Sequence, residues 1–241
     1  MRSIKYCLIL ILMNKYLSVV FILLFSNVLQ ATNLNSAINN LEQEWAKVYY
    51  STSKSKGPTT YPSLITKASA LTQEFPDEAE PLLWQAILIS SNAGHLAPID
   101  ALRQITKARD LLIQAIHLAP KGLNGSAHVT LGTLYYMTPA WPLSFGDNAK
   151  AQELLTSALK INPDSIEANY FYGDFLLNQD DPDRAEYYFK KAVSAPVRNH
   201  QRLADQSLQK QAKLALEGAL QNKVHDSKKL FLSLFSSADE P

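Results

Sequence analysis

The sequence predicts an all-helical fold made of stacked helix pairs. One pattern occurs three times in the 241 residues: a small residue, a large apolar residue and a second small residue, followed by a proline. The copies are Ala108, Leu112, Ala115 and Pro120; Ala151, Leu155, Ala158 and Pro163; and Ala185, Phe189, Ala192 and Pro196. Spacings of four and three residues place the first three members on one face of a helix, and the proline ends that helix.

A second type of helix, with a small residue at its middle, alternates with the first. Its motifs are Leu131-Gly132-x-x-Tyr135 and Tyr172-Gly173-x-x-Leu176, with Ala86 and Ile89 at the equivalent positions of an earlier unit. A glycine inside a helix costs about 1 kcal/mol relative to alanine, so its regular use predicts that two backbones approach closely there. We therefore predict that Gly173 contacts a residue of the following helix, such as Ala185 or Phe189.

This alternation resembles the tetratricopeptide repeat (TPR) family, whose unit of about 34 residues joins a Leu-Gly-x-x-Tyr helix to an Ala-x3-Phe helix and closes with proline. The resemblance covers repeats at about 79–120, 125–163 and 166–197. Gly173 and Ala185 are 12 residues apart, as in the family, whereas the first unit carries 10 extra residues between its helices and the second unit carries 7. The resemblance implies a TPR-like helical-hairpin solenoid whose first helices line a concave groove.

The remaining segments of the predicted helical domain, 32–221, are interpreted as caps of this solenoid. Helices at 34–51 and 61–75, separated by a polar break at 51–60, form a degenerate pair at one end. A helix at 199–221 covers the last repeat as a C-terminal capping helix. The tail at 222–241 contains a short apolar run, Leu230 to Phe235, which is too short to span a membrane.

Residues 1–31 have the pattern of a secretory signal peptide. They contain three basic residues and no acidic one, followed by an apolar run at 16–25 and a region suited to cleavage at 26–31. The mature protein is expected to begin near Thr32 and to be periplasmic in a Gram-negative bacterium, or secreted. The alternative is an uncleaved segment that anchors the protein in the membrane.

Composition excludes several classes of function for the mature chain. Its single cysteine, Cys7, lies in the predicted signal peptide, so neither a disulfide nor a cysteine nucleophile is expected. The formal net charge of the full chain is +1, which is too small a basic field for binding nucleic acid. The five histidines form no i, i+4 pair, and no phosphate-binding loop or nucleophile motif occurs. We therefore predict no enzyme activity, no metal site and no cofactor.

Four acidic residues near predicted helix starts are interpreted as helix caps rather than as catalytic carboxylates. They are Asp77, Asp147, Asp164 and Asp181. Each precedes a helical pattern, where unpaired backbone N–H groups need an acceptor.

An aromatic insert at 135–147 separates the two helices of the middle unit. It contains Tyr135, Tyr136, Trp141 and Phe145, and two prolines prevent a continuous helix. For Phe145 we favour a packing role that fills the gap left by the longer loop. For Trp141 this role and a place at the rim of a binding groove both remain open. The insert resembles those of bacterial periplasmic TPR proteins associated with TRAP-type transporters, which partner a substrate-binding protein.

The family resemblance maps a partner-binding groove onto the first helices and the insert. The predicted binding residues are Tyr136, Trp141, Tyr170, Asp174, Val129, Thr133, Glu167 and Asn178. Acidic points in an apolar and aromatic groove disfavour a partner's carboxylate and suit an apolar or basic segment.

The predicted function is a non-catalytic periplasmic scaffold for a protein partner, such as a periplasmic binding protein or an envelope complex. The alternative is an accessory protein that binds a small molecule in an apolar-aromatic pocket near Trp141. A homo-oligomer is compatible with either, and no membrane span is expected after signal cleavage.

Overall fold

A computed structural model describes residues 33–51 and 57–220, and within these ranges the chain is helical with no β-strand. The chain divides into two compact units, Met1–Asn40 and Leu41–Pro241. The first unit is helical over 33–40. The second opens with helical residues 41–46, labelled α1, and a π-helix at Lys47–Ser51.

The second unit continues as a succession of helices in which neighbours along the chain pack together. They are α2 (Gly57–Glu74), α3 (Ala79–Ala93), α4 (Pro98–Leu118), α5 (Ser126–Met137), α6 (Asn148–Ile161), α7 (Ile166–Leu177), α8 (Pro182–Ser194) and α9 (Arg202–Leu220). The strongest packing joins α3 to α4, α5 to α6 and α7 to α8, which are the three predicted pairs. The predicted fold class, an all-α helical-repeat solenoid, is confirmed.

Small residues allow the helices of each pair to approach closely, as the sequence predicts. A Cβ atom added to Gly173 would lie 2.9 Å from Cε1 of Phe189, and one added to Gly132 would lie 2.9 Å from Cγ of Leu155. Both distances are below those of ordinary van der Waals contacts. The predicted contact between Gly173 and the following helix is therefore confirmed, and with it the alignment of α7 on α8.

Two of the four predicted helix caps are confirmed and two are wrong. Asp147 accepts hydrogen bonds from the backbone N–H groups of Ala149 and Lys150, and Asp181 accepts one from Arg184. The helices expected to begin after Asp77 and Asp164 start one residue later than predicted, so the residues in the cap position are Glu78 and Ser165. Ser165 accepts a hydrogen bond from Ala168, whereas Glu78 forms no side-chain cap bond.

Several predicted boundaries shift. Helix α2 begins at Gly57, inside the predicted polar break, and Pro58 is tolerated at its second position because no intrahelical N–H bond is needed there. Helix α9 begins at Arg202 instead of at 199.

The predicted signal peptide at 1–31 and the tail at 222–241 lie outside the described residues. Within the described part of the chain, no helix has the length and apolar character needed to cross a membrane.

Candidate partner-binding surfaces

Tyr136 and Asp174, two predicted binding residues, bond to each other between α5 and α7. The Tyr136 hydroxyl donates a hydrogen bond of 2.5 Å to Oδ2 of Asp174, and both side chains are buried. The ring of Tyr136 also packs edge-on against Phe175. Burial raises the pKa of Tyr136 well above its ordinary value, and the neighbouring Asp174 carboxylate raises it further. The hydroxyl therefore remains a neutral donor that joins two repeats.

Four further predicted binding residues on or next to these helices are buried or half-buried. Val129 and Tyr170 are buried, and the ring of Tyr170 packs against Phe171 at a centroid distance of 5.0 Å. Asn178 ends α7, where its side-chain nitrogen donates to the carbonyl oxygen of Asp174. Thr133 is half-buried on α5. The structure thus brings these residues together at adjoining first helices, with most of their surface covered.

Glu167 belongs to a charged cluster that the sequence did not predict. We call it the Arg198 cluster, formed by Ser126, Glu167, Arg198 and Asp205. Ser126 donates to Oε2 of Glu167 at 2.9 Å, and Nη2 of Arg198 donates to Oε1 at 2.8 Å. The Arg198 guanidinium also bonds both carboxylate oxygens of Asp205, at 3.0 and 2.6 Å, and its backbone N–H donates to Asp205 as well.

The Arg198 cluster ties four parts of the repeat stack together. It joins α5, α7 and the segment between α8 and α9 to α9 itself. Asp205 is only 1% exposed, so the bonds from Arg198 offset the cost of burying its carboxylate. The sequence contained a feature that could have predicted this cluster. Asp205 shares a helix face with the apolar Leu208 and Ala212, and an acidic residue buried on such a face requires a counter-charge.

Residues 41–51 lie against the predicted groove. The indole N–H of Trp45 donates to Oγ of Ser91 on α3, and the Trp45 ring packs edge-on against Trp84 at 5.6 Å. Towards α7, Tyr50 lies close enough to Glu167 and Tyr170 for their charges to influence its ionisation. The π-helix also contacts α9. We call the surface of α3, α7 and α9 that meets residues 41–51 the inner face.

The insert between α5 and α6 forms a closed loop with a fixed base. The backbone N–H of Gly146 donates to the carbonyl of Pro139 at 3.0 Å, and that of Asp147 donates to Tyr135 at 2.9 Å. A Cβ atom at Gly146 would lie 2.0 Å from the carbonyl oxygen of Thr138, so the loop can close in this way only with glycine.

Phe145 and Trp141, the two large rings of the loop, have opposite environments. Phe145 packs edge-on against Tyr135 at 5.3 Å, and the guanidinium of Arg109 lies 4.7 Å from its ring centroid. Phe145 thus fills the gap, as predicted. Trp141 is 86% exposed and Leu143 is 75% exposed, so neither one plugs the loop. The packing role left open for Trp141 therefore does not apply.

The described residues, 33–51 and 57–220, include histidine and acidic side chains on several helices. No group of three or more His, Cys, Asp or Glu side chains there is placed to hold a metal ion. His128 is buried on α5 without a partner for Nδ1, and burial lowers its pKa, which keeps the imidazole neutral.

Comparison with known families gives one result. Residues 143–202 match the tetratricopeptide repeat family model. The match includes α6, α7 and α8 and therefore the unit with the uninterrupted spacing. Tetratricopeptide repeats generally mediate protein–protein interactions. A comparison with curated proteins finds no match to the chain.

The TPR-like region therefore offers two surfaces of different character. The inner face carries Glu167 and Tyr170 and is contacted by residues 41–51 of the same chain. The end of the α5–α6 loop carries Trp141 and is open to solvent. Of the predicted binding residues, only Trp141 presents a large exposed apolar surface.

Proposed function

We propose that the protein is a non-catalytic TPR scaffold that binds a protein partner through the end of the α5–α6 loop. We call residues 139–143 the Trp141 loop. The observation that carries the proposal is the exposure of Trp141 and Leu143, at 86% and 75%, on a backbone held at both ends by hydrogen bonds. Large apolar side chains exposed together, rather than singly, are typical of interaction sites.

The loop suits recognition because its backbone is already fixed, so it loses little conformational entropy on binding. Pro139 and Pro142 restrict the backbone, and Phe145 anchors the base against Tyr135 and Arg109. Fixing a binding loop in advance reduces the entropy lost when a complex forms. Tryptophan is also among the residues that dominate binding energy at the centre of protein interfaces. A rigid loop that displays tryptophan therefore has the properties of an anchor.

We expect the Trp141→Ala substitution to weaken partner binding by about thirtyfold or more, since truncation of a central aromatic residue costs about 2 kcal/mol. The partner is first captured by a photo-crosslinking amino acid at the exposed position 140 in native cells, which leaves Trp141 in place, and its affinity is then measured by calorimetry. The melting temperature should stay within about a degree of wild type, because the side chain is exposed.

Tyr187→Ala is the matched control, since Tyr187 is an aromatic residue of α8 that is 59% exposed. It should retain full affinity, and a crosslinker at 187 should not capture the same partner. Equal affinities of the Trp141→Ala variant and wild type would contradict the proposed loop contact. Capture of a small molecule that quenches tryptophan fluorescence, in place of a protein, would support the alternative function.

We also propose that the protein acts in the periplasm and that its partner is a periplasmic binding protein or an envelope complex. This rests on the signal-like sequence at 1–31 and on the resemblance of the insert to those of transporter-associated TPR proteins. N-terminal sequencing of the protein from a native extract is expected to begin near Thr32. Recovery of an intact 1–31 segment in the membrane fraction would favour the anchored alternative.

A further inference from the structure

Residues 41–51 contact the inner face through several side chains, of which Trp45 is well satisfied and Glu42 is not. Trp45 bonds Ser91 and packs against Trp84. The side chain of Glu42 is buried although its Oε1 atom has no hydrogen-bond partner. An unpartnered oxygen of a buried carboxyl group is costly, and more so when the group is charged.

The surroundings of Glu42 add to this cost. Its carboxyl group lies near Gln201 and faces two acidic residues, Glu167 of α7 and Asp205 of α9. Arg198 is the cation in this group, but its guanidinium already bonds Glu167 and Asp205. Ionisation of Glu42 would place three carboxylates around one arginine.

We propose that residues 41–51 act as a proton-controlled latch, which stays on the inner face while Glu42 is protonated and leaves it when Glu42 ionises. Release would uncover Glu167 and Tyr170, which are predicted binding positions on the first helix of the last repeat. The latch therefore regulates access to a second surface, and it does not depend on the Trp141 loop.

The direction of the pH effect follows from the position of Glu42. The pKa of Glu42 is raised from 4.5 to about 7, mainly because the side chain is buried; Gln201 and Arg198 act to lower this pKa, and Glu167 and Asp205 act to raise it. The latched state thus holds the proton more tightly than a released state in which Glu42 meets water. Protonation stabilises the latch fully below pH 4.5, and this stabilisation is lost as the pH rises to about 7.

Hydrogen–deuterium exchange of the full-length protein tests the latch directly. The observed exchange rate of each peptide is first divided by its intrinsic rate at the same pH. For peptides within residues 41–51, this ratio should be at least tenfold higher at pH 8 than at pH 5, since each pKa unit corresponds to a tenfold change in the opening equilibrium. Protection of α5, α6 and α7 should remain unchanged over this range, which distinguishes release of the latch from unfolding.

Two glutamine variants complete the experiment. Glu42→Gln keeps the shape of the side chain without its charge and should abolish the pH dependence, with protection retained at pH 8. Glu44→Gln is the control: Glu44 lies two residues away and is paired with Lys67 at 2.8 Å on the surface, so this variant should behave like wild type. The proposal is overturned if wild-type protection does not change with pH, if the change persists in Glu42→Gln, or if residues 41–51 exchange only together with α5–α7.

Discussion

The Arg198→Ala variant is expected to lose about 3 kcal/mol or more of its free energy of unfolding, the largest effect among the substitutions considered. The substitution removes the guanidinium hydrogen bonds to Asp205, whose carboxylate is 1% exposed, and the bond to Glu167. Removing one partner of a buried ion pair typically costs about 3–5 kcal/mol, because the other charge is left without compensation. The remaining backbone N–H bond to Asp205 offsets only part of this cost.

Urea unfolding at pH 7, followed by circular dichroism, measures the loss. Arg103→Ala is the control, since Arg103 pairs with Asp100 where their side chains are 73% and 54% exposed. Exposed pairs contribute about 1 kcal/mol or less, so this variant should stay close to wild type. Equal stabilities of the two variants would show that the Arg198 cluster does not hold the end of the repeat stack together.

The second large effect is expected from Gly173→Leu, which should lower the free energy of unfolding by about 1–3 kcal/mol. Even a Cβ atom at this position would lie 2.9 Å from the ring of Phe189, which is itself fully buried. The leucine side chain must therefore push α7 and α8 apart or force Phe189 from its position. Because the ring is packed on all sides, neither adjustment occurs without loss of contacts.

A leucine on the surface of the neighbouring helix provides the comparison for Gly173→Leu. Lys190 follows Phe189 on α8 and is exposed, so Lys190→Leu adds apolar bulk without crowding the helix crossing. Its melting temperature should differ from wild type by no more than a few degrees. If the Gly173→Leu variant melts at the wild-type temperature, the inference that α7 and α8 approach closely at Gly173 is wrong.

Much of the helical architecture was predictable because it depends on local spacing. Ala185, Phe189 and Ala192 share one face of their helix whatever the tertiary arrangement. Gly173 lies inside a helix, where glycine is costly, and this predicts a close contact with a neighbouring helix. Errors occurred where a boundary depends on a single residue. Asp164 and Ser165 are both good N-caps, and the choice between them depends on where the helix begins in the packed structure.

The predicted binding residues do not form one surface in the tertiary structure. Trp141 is exposed, whereas Tyr136 and Asp174 are buried. From its sequence, the segment of Trp141 could equally have folded inward. In the structure Phe145 packs against Tyr135 and fills the gap, so Trp141 is not needed there. Tyr136 and Asp174 were both assigned to a binding surface, but they are 38 residues apart and bond to each other. Sequence patterns indicate which helix face a residue occupies, whereas its partner depends on how repeats stack.

The sequence by itself determined the helix pairs, the glycine crossings and the caps Asp147 and Asp181, because each of these follows from interactions within a few residues or between adjacent helices. Only the tertiary structure decided that residues 41–51 contact the inner face and that Arg198 compensates the buried Asp205. Those contacts join segments far apart in the chain. Their energies depend on burial and on the charges of neighbours, neither of which has a periodic signature in the sequence.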